Sequence, residues 1–270
     1  MTRLAADNSG AENIKAGAKI GVLGCTGRVG SLVVREIQAR HFGPAVELAG
    51  GTVRAGLPED QSDFFVTHDA DELFQNADVL IDFTVPEATA RHAWLAAKHH
   101  KPLIIGTTGL NAAQEQELND AAKEAPIVYA ANMSLGVNFL LVFVEQMASR
   151  LGADWDIEVL ETHHKYKIDA PSGTALALGK SATKARNDDK ENFVFDRTGE
   201  RAPGSIGFAV RRGGDTVGDH TVSFMTEGEI IELRHIAGDR VLFARGAVKA
   251  ALWLKDQKKG LYSMRDVLGI

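Results

Sequence analysis

Residues 18–30 read AKIGVLGCTGRVG. The first six, Ala18 to Leu23, form a short apolar run of the kind buried on both faces of a parallel sheet. The next seven, Gly24-Cys25-Thr26-Gly27-Arg28-Val29-Gly30, space three glycines as G-x-x-G-x-x-G. SLVVREIQARHF follows with apolar residues at helical spacing. Glycines between a strand and a helix let backbone N–H groups approach a pyrophosphate at the helix N-terminus. With 27 glycines in the chain the spacing alone is weak, and a plain tight turn is the competing reading. The strand–turn–helix setting near the start of the fold gives it its meaning. Cys25 has no base beside it and reads as a small filler residue rather than a nucleophile.

Outward from this turn the pattern repeats. VELAGGTV, ADVLIDFT, KPLIIGTTG and PIVYAAN read as strands, and PEATARHAWLAAKHH and NAAQEQELNDAAKEA as helices between them. Strand and helix in alternation predict an α/β, Rossmann-type domain with a doubly wound parallel sheet. After about Asn132 the pattern changes. LGVNFLLVFVEQMASRLG is a long apolar helix, and DWDIEVLE alternates Trp155, Ile157 and Val159 with Asp154, Asp156 and Glu158. That alternation marks a half-solvated strand. SGTALALGKSATKA is helical, and SIGFAVRR, HTVSFMT and EIIELRHIA read as strands with no helix between them. A second, α+β domain with a mixed, mostly antiparallel sheet is therefore expected. The terminal ALWLKDQKKGLYSMRDVLGI reads as helical again. The expected organisation is a disordered tail over 1–17, a dinucleotide-binding domain over 18–134 and 238–270, and a substrate-binding and oligomerisation domain over 135–237.

The bulk numbers narrow the class. A chain of 270 residues, 44% hydrophobic, buries a core large enough for two modest domains. A formal charge of -6, with no Lys/Arg run interleaved with aromatics, argues against a nucleic-acid partner. One cysteine excludes an intrachain disulfide and fits a reducing compartment. The polar start carries no signal-peptide core, and no stretch approaches the ~20 apolar residues of a membrane span. A soluble, cytoplasmic protein with no membrane association is expected.

Ligand-binding positions in an open parallel sheet lie at the C-terminal ends of its strands. Phe83-Thr84, Gly106-Thr107-Thr108-Gly109 and Ala130-Ala131-Asn132-Met133 fall there, and their small residues and glycines leave room for a flat nicotinamide ring. Each taken singly is also readable as a plain βα loop. The second strand of NAD-binding domains delivers an acid to the ribose about 20 residues after the glycines. Here Gly50-Gly51-Thr52-Val53-Arg54 supplies none, and no Asp or Glu lies between Glu47 and Glu59. Arg54, with Arg28, attracts a 2′-phosphate, so NADPH is expected over NADH.

Residues 161–174, ETHHKYKIDAPSGT, gather more titratable and anion-binding groups than core packing requires. Ser172-Gly173-Thr174 at a helix start offers N–H groups and hydroxyls to a carboxylate. Lys167 and His164 add donors, and His163 exchanges protons near neutral pH. A small substrate with two carboxylates suits the set. The competing reading is a capped helix preceded by solvated basic residues. A metal site is discounted, because adjacent histidines on a strand face opposite ways and no HxH or HxxxH spacing occurs.

ETHHKYKIDAPSGTAL, together with GCTGRVG, IDFT, IGTTG and AANMSLGVN, closely resembles the dihydrodipicolinate reductase family over residues 18 to 270. The resemblance implies NADPH- or NADH-dependent reduction of the dihydrodipicolinate synthase product to tetrahydrodipicolinate, in diaminopimelate and lysine biosynthesis. It implies His163 as acid/base, Lys167 as second proton donor, and His164, Gly173 and Thr174 as holders of the substrate carboxylates. Cofactor contacts are implied at Gly24, Cys25, Thr26, Gly27, Arg28 and Val29, at Arg54, at Gly106, Thr107 and Thr108, and at Ala130, Ala131, Asn132 and Met133. A homotetramer joined through the second domain, with Ile206 to Ile236 as a source of interface, is implied too. Many relatives carry an acid where this chain has Val53, which agrees with NADPH preference. Two other readings stand beside this one: an oxidoreductase of another small carboxylate, and an NADP sensor without turnover. An aspartate-semialdehyde type of chemistry lacks its cysteine in the second domain.

Overall fold

The structure, a computed structural model, describes residues 17–54, 63–186 and 191–270. The tail expected over 1–17 lies, but for Gly17, outside them. The chain divides into two compact units, Met1–Tyr129 with Ala247–Ser263 and Ala130–Gly246 with Met264–Ile270.

The first unit follows the apolar runs. In order come β1 (Ala18–Leu23), α1 (Gly30–Gln38), β2 (Val46–Thr52), β3 (Val66–Thr67), α2 (Ala70–Asn76), β4 (Val79–Asp82), α3 (Pro86–His99), β5 (Leu103–Ile105), α4 (Ala112–Ala121) and β6 (Pro126–Tyr129). Val79, Leu80 and Ile81 of β4 and all three residues of β5 are fully enclosed, as strands covered on both faces must be. Helix starts obey local chemistry: Asn111 and Gln114 close a reciprocal capping box on α4, and Pro86 opens α3. Every pairing in this sheet is parallel, in the order β12-β6-β5-β4-β1-β2-β3, where β12 comes from near the C-terminus. The order reverses between β1 and β4, which makes the loops after those two strands the ligand edge of the sheet.

The second unit opens with α5 (Leu135–Arg150), β7 (Asp156–His163), α6 (Gly173–Ala185), β8 (Phe193–Val194), β9 (Ile206–Arg212), β10 (Gly218–Thr226) and β11 (Glu229–Ala237). Its sheet runs β11-β10-β7-β9-β8. Two of the four pairings are antiparallel and two are parallel. The sheet is mixed, as expected from sequence, and its longest ladder, β10 with β11, is antiparallel. β7 and β9 pair parallel because α6 lies on the path between them and such a crossover returns the chain in the same direction. Ile157, Val159, Phe208, Val222 and Phe224 line one face against Leu140, Val144, Leu178 and Ala182 of α5 and α6.

The C-terminal run holds α7 (Val241–Leu254), β12 (Gly260–Tyr262) and α8 (Met264–Leu268). Sequence periodicity read it as helical throughout. Instead Gly260, at φ 157°, starts a strand that pairs with β6. α2 and the two-residue strands β3 and β8 also escaped the reading, being too short to show a period. Among the described residues no helix is long and apolar enough to cross a membrane.

Candidate functional site

The dinucleotide turn is built almost wholly from backbone. Gly24 adopts φ 74°, and a Cβ there would stand 2.8 Å from Thr84 Cγ2, in the loop after β4. A Cβ on Gly30 would overlap the Gly24 carbonyl, so the α1 N-terminus packs directly on the end of β1. Gly24 N–H donates to Thr52 Oγ1 at 3.0 Å and Cys25 N–H to Thr52 O at 2.9 Å, tying the turn to β2. The N–H groups of Thr26, Arg28 and Val29 have no protein acceptor among the described residues. Free donors at a helix start fit an anion such as a pyrophosphate. Cys25 is 4% exposed, burial pushes its thiol pKa up, and Gly51 leaves room for its sulfur. It packs the turn, as the sequence suggested. Val53 is buried at the end of β2, whereas Arg54 and Arg28 are exposed.

The remaining cofactor candidates divide. The space beside Gly106 is not open: a Cβ there would overlap the Phe83 ring. The close approach of the Phe83 ring requires glycine at this position. Thr107 is buried and accepts from Thr89 Oγ1 at 2.9 Å, while Thr108 is exposed. Below them Asp82, fully enclosed, accepts from Thr84 N–H, Thr84 Oγ1 and His92 Nδ1 at 2.8, 2.6 and 2.8 Å. Ala130 and Ala131 are partly or fully exposed. Met133 is 1% exposed, a core side chain. Asn132 Nδ2 donates to Thr174 Oγ1 at 3.1 Å, which brings one cofactor candidate against one substrate candidate. Its Oδ1 accepts from Ser134 N–H, and Ser134 caps α5.

The second unit supplies side-chain chemistry. β7 alternates in burial along its whole length, so the parity that hides Ile157 and Val159 also hides Glu161 and His163. Glu161 is 1% exposed, and its carboxylate meets three donors. Arg212, at the end of β9, donates Nη1 to Oε2 and Nη2 to Oε1, both at 2.8 Å. The Ser172 N–H donates to Oε1 at 2.9 Å. His163 Nδ1 lies 2.5 Å from Oε2. Burial pushes Glu161 up, but the bonds from Arg212, His163 and Ser172 together hold it below the usual glutamate value. An ionised carboxylate only accepts, so the proton between the two sits on His163 Nδ1. Nε2 takes no protein partner among the described residues. A Cβ at Gly218 would come to 3.1 Å from it, and glycine keeps that side clear. Burial pushes the His163 pKa down, which outweighs the pull of Glu161, and Lys167 and Arg212 push it the same way.

Around this pair the other candidates assemble. Ser172 caps α6, accepting from Ala175 N–H, and also bonds His220 Nε2 at 2.9 Å. Gly173 and Thr174 N–H groups find no protein acceptor among the described residues, and a Cβ on Gly173 would meet nothing within 4 Å. The α6 N-terminus is thus an open row of donors. Lys167 Nζ pairs with Asp169, 2.8 Å away. His164 lies on the other side of the strand end, with Arg240 Nη2 3.4 Å from its Nε2. His164, Lys165, Tyr166, Gly214, Val217 and Arg240 line a cavity of about 550 Å³, together with Asp215. His163, His164, Lys167, Gly173 and Thr174 therefore cluster within one unit. Sequence reasoning missed Glu161, Arg212, His220 and Arg240. Glu161 alone left a signal, since it shares the strand parity of His163.

Comparison with known proteins identifies the family. The model described as dihydrodipicolinate reductase, N-terminus, matches residues 18–133, and that described as dihydrodipicolinate reductase, C-terminus, matches residues 136–268. A 4-hydroxy-tetrahydrodipicolinate reductase of Zymomonas mobilis subsp. mobilis is 46% identical over 260 residues, covering 95% of this chain and 99% of that one. One from Allorhizobium ampelinum is 50% identical over 265 residues, covering 93% and 98%. A solved dipicolinate-bound dihydrodipicolinate reductase from Paenisporosarcina sp. TG-14 shares the fold, with TM-score 0.76, 21% identity and coverage of 92% and 97%. With both halves matched and near half of its residues shared with such relatives along almost their full length, the chain belongs to the dihydrodipicolinate reductase family.

Proposed function

We propose that this chain reduces 4-hydroxy-tetrahydrodipicolinate to tetrahydrodipicolinate and water, consuming a reduced nicotinamide dinucleotide, in diaminopimelate and lysine biosynthesis. The observation that carries this reading is the buried His163, with Nδ1 anchored on Glu161 and Nε2 free, beside the open donor row of α6. The turn Gly24 to Val29 would hold the pyrophosphate, because Gly24 and Gly27 leave little room for a side chain and its N–H groups without protein acceptors suit an anion. Gly106 to Thr108 and Ala130 to Met133 would flank the nicotinamide. That ring, when bound, supplies a hydride to carbon 4 of the substrate.

The rest is the work of this chain's residues. Gly173 and Thr174 N–H groups and the Thr174 hydroxyl take one substrate carboxylate, and His164 adds a donor. Lys167 neutralises charge that develops on the ring nitrogen, and stands close enough to Asp169 to be held in place. His163 Nε2 delivers a proton to the carbon beside the reduced one, directly or through water. Before hydride transfer the hydroxyl at carbon 4 leaves as water with a proton from the neighbouring carbon, giving the conjugated dihydrodipicolinate. The hydride and the proton from His163 then saturate those two carbons, so the step balances.

Arg54, exposed at the end of β2 with no acid preceding it, favours NADPH over NADH. A homotetramer built on the second sheet and a cytoplasmic location complete the reading. The test is kcat/KM for NADPH and for NADH, with substrate generated in place by dihydrodipicolinate synthase. Oxidation with NADPH favoured is the expected result. Equal use of NADH would keep the reaction and remove the role given to Arg54. Oxidation of neither would favour a nucleotide sensor.

A further inference from the structure

We propose that Glu161 and Arg212 are positioning residues for His163: they fix its proton on Nδ1 and keep the ring a neutral imidazole in the free protein, with Nε2 held as an acceptor. This rests on reading His163 as the proton carrier. A buried ionised carboxylate alone, 2.5 Å from Nδ1, would stabilise an imidazolium. Burial opposes that pull, and Arg212 weakens it further. Its guanidinium faces both oxygens of Glu161, and the Ser172 N–H at the α6 start takes Oε1 as well. The carboxylate then orients the ring while its charge is already matched.

The groups facing His163 come from every neighbouring element. Glu161 shares its strand, Arg212 comes from β9 and Ser172 from α6. His220 on β10 meets the ring edge-on at 5.1 Å between centroids, and His235 on β11 is the cross-strand partner of His220. Lys167 comes from the loop after β7, with exposed Asp169 as its partner. Glu161 is the single anion in direct contact, and it is shared with a cation. What remains is burial and positive charge, and both disfavour a second proton on the ring. A substrate bringing two carboxylates reverses that balance. The ring then takes a proton from solvent at Nε2, the nitrogen aimed at the ligand. Protonation of the acid is thereby coupled to arrival of the substrate.

The experiment is long-range ¹H–¹⁵N NMR of the full chain labelled at histidine, with the His163 signals assigned by their loss in His163→Gln. The wild type is expected to show the Nδ1–H tautomer and a titration midpoint below that of free histidine. Arg212→Gln should raise the midpoint, because Glu161 is left unmatched. Glu161→Gln should lower it, because Arg212 is left unmatched. Shifts of opposite sign are not what a merely structural pair produces, and the pH profile of kcat should move with them. An Nε2–H tautomer in the wild type overturns the proposal, as does a midpoint that Arg212→Gln leaves unchanged or lowers. Should Arg212→Gln fail to fold, Glu161→Gln decides alone, and an unchanged or raised midpoint overturns it. Full activity in His163→Gln would instead remove the proton-carrier reading, whatever the tautomer.

Discussion

The turn at Gly24–Gly30 and the cluster around His163 are the two proposed ligand sites, and they are constructed in opposite ways. The turn uses backbone N–H groups and the absence of side chains, all within seven consecutive residues. The cluster uses side chains from β7, β9, β10 and the α6 start, with Glu161 and Arg212 51 residues apart. A backbone site tolerates little added volume, whereas a side-chain site depends on charge and protonation. The two should therefore break differently.

The largest effect is expected at the cluster. His163→Gln should lower kcat about 10²–10⁴-fold with little change in nucleotide affinity, as steady-state kinetics and nucleotide titration will show. A loss confined to KM would move His163 from proton transfer to binding.

Acid sharpens the contrast next. Burial, reinforced by His163, pulls His220 down to about 4 from its ordinary 6.5, so the folded state binds fewer protons than the unfolded chain between those values. The stability that neutral His220 contributes is complete above pH 6.5 and is lost as pH falls towards 4. It amounts to at most about 3 kcal/mol. Urea unfolding from pH 7 to 4 should show that decline, and His220→Gln should flatten it. A decline of equal size in the variant would place the acid sensitivity elsewhere.

The turn should fail by volume rather than by charge. Gly30→Ala forces its Cβ onto the Gly24 carbonyl and should cost about 1–3 kcal/mol. Nucleotide affinity should fall with it while the His163 titration is unmoved. Thermal unfolding and nucleotide binding measure the two readouts, and retention of full affinity would sever the turn from the cofactor.

Smallest is the change at the rim. Arg54→Ala should weaken NADPH about 10-fold, roughly 1.4 kcal/mol, and leave NADH unaffected. An equal effect on both cofactors would mean that Arg54 does not read the 2′-phosphate.

Much of the fold was legible because its signals are local. Apolar runs at strand length, helical spacing between them and the glycine turn are properties of neighbours in sequence, and they carry the parallel sheet and its ligand edge. The motif from Glu161 to Thr174 likewise announced His163, His164, Lys167, Gly173 and Thr174. Short elements such as α2 and β3 lack a period to detect, and β12 is a strand only because β6 offers it an edge. Gly106 shows the limit of composition: its glycine is explained by the Phe83 ring packed against it, a neighbour from a different loop.

The sequence by itself determined the fold class, the place of the turn and the candidates proposed to meet a dicarboxylate, since these depend on spacing within one segment. Only the tertiary structure decided the company those residues keep. Glu161, an ordinary acid on an alternating strand, becomes the anchor of His163 because β9 brings Arg212 and α6 brings Ser172 to the same carboxylate. Charge balance at a buried group is a sum over neighbours in space, and neighbours in space are what folding, not sequence order, supplies.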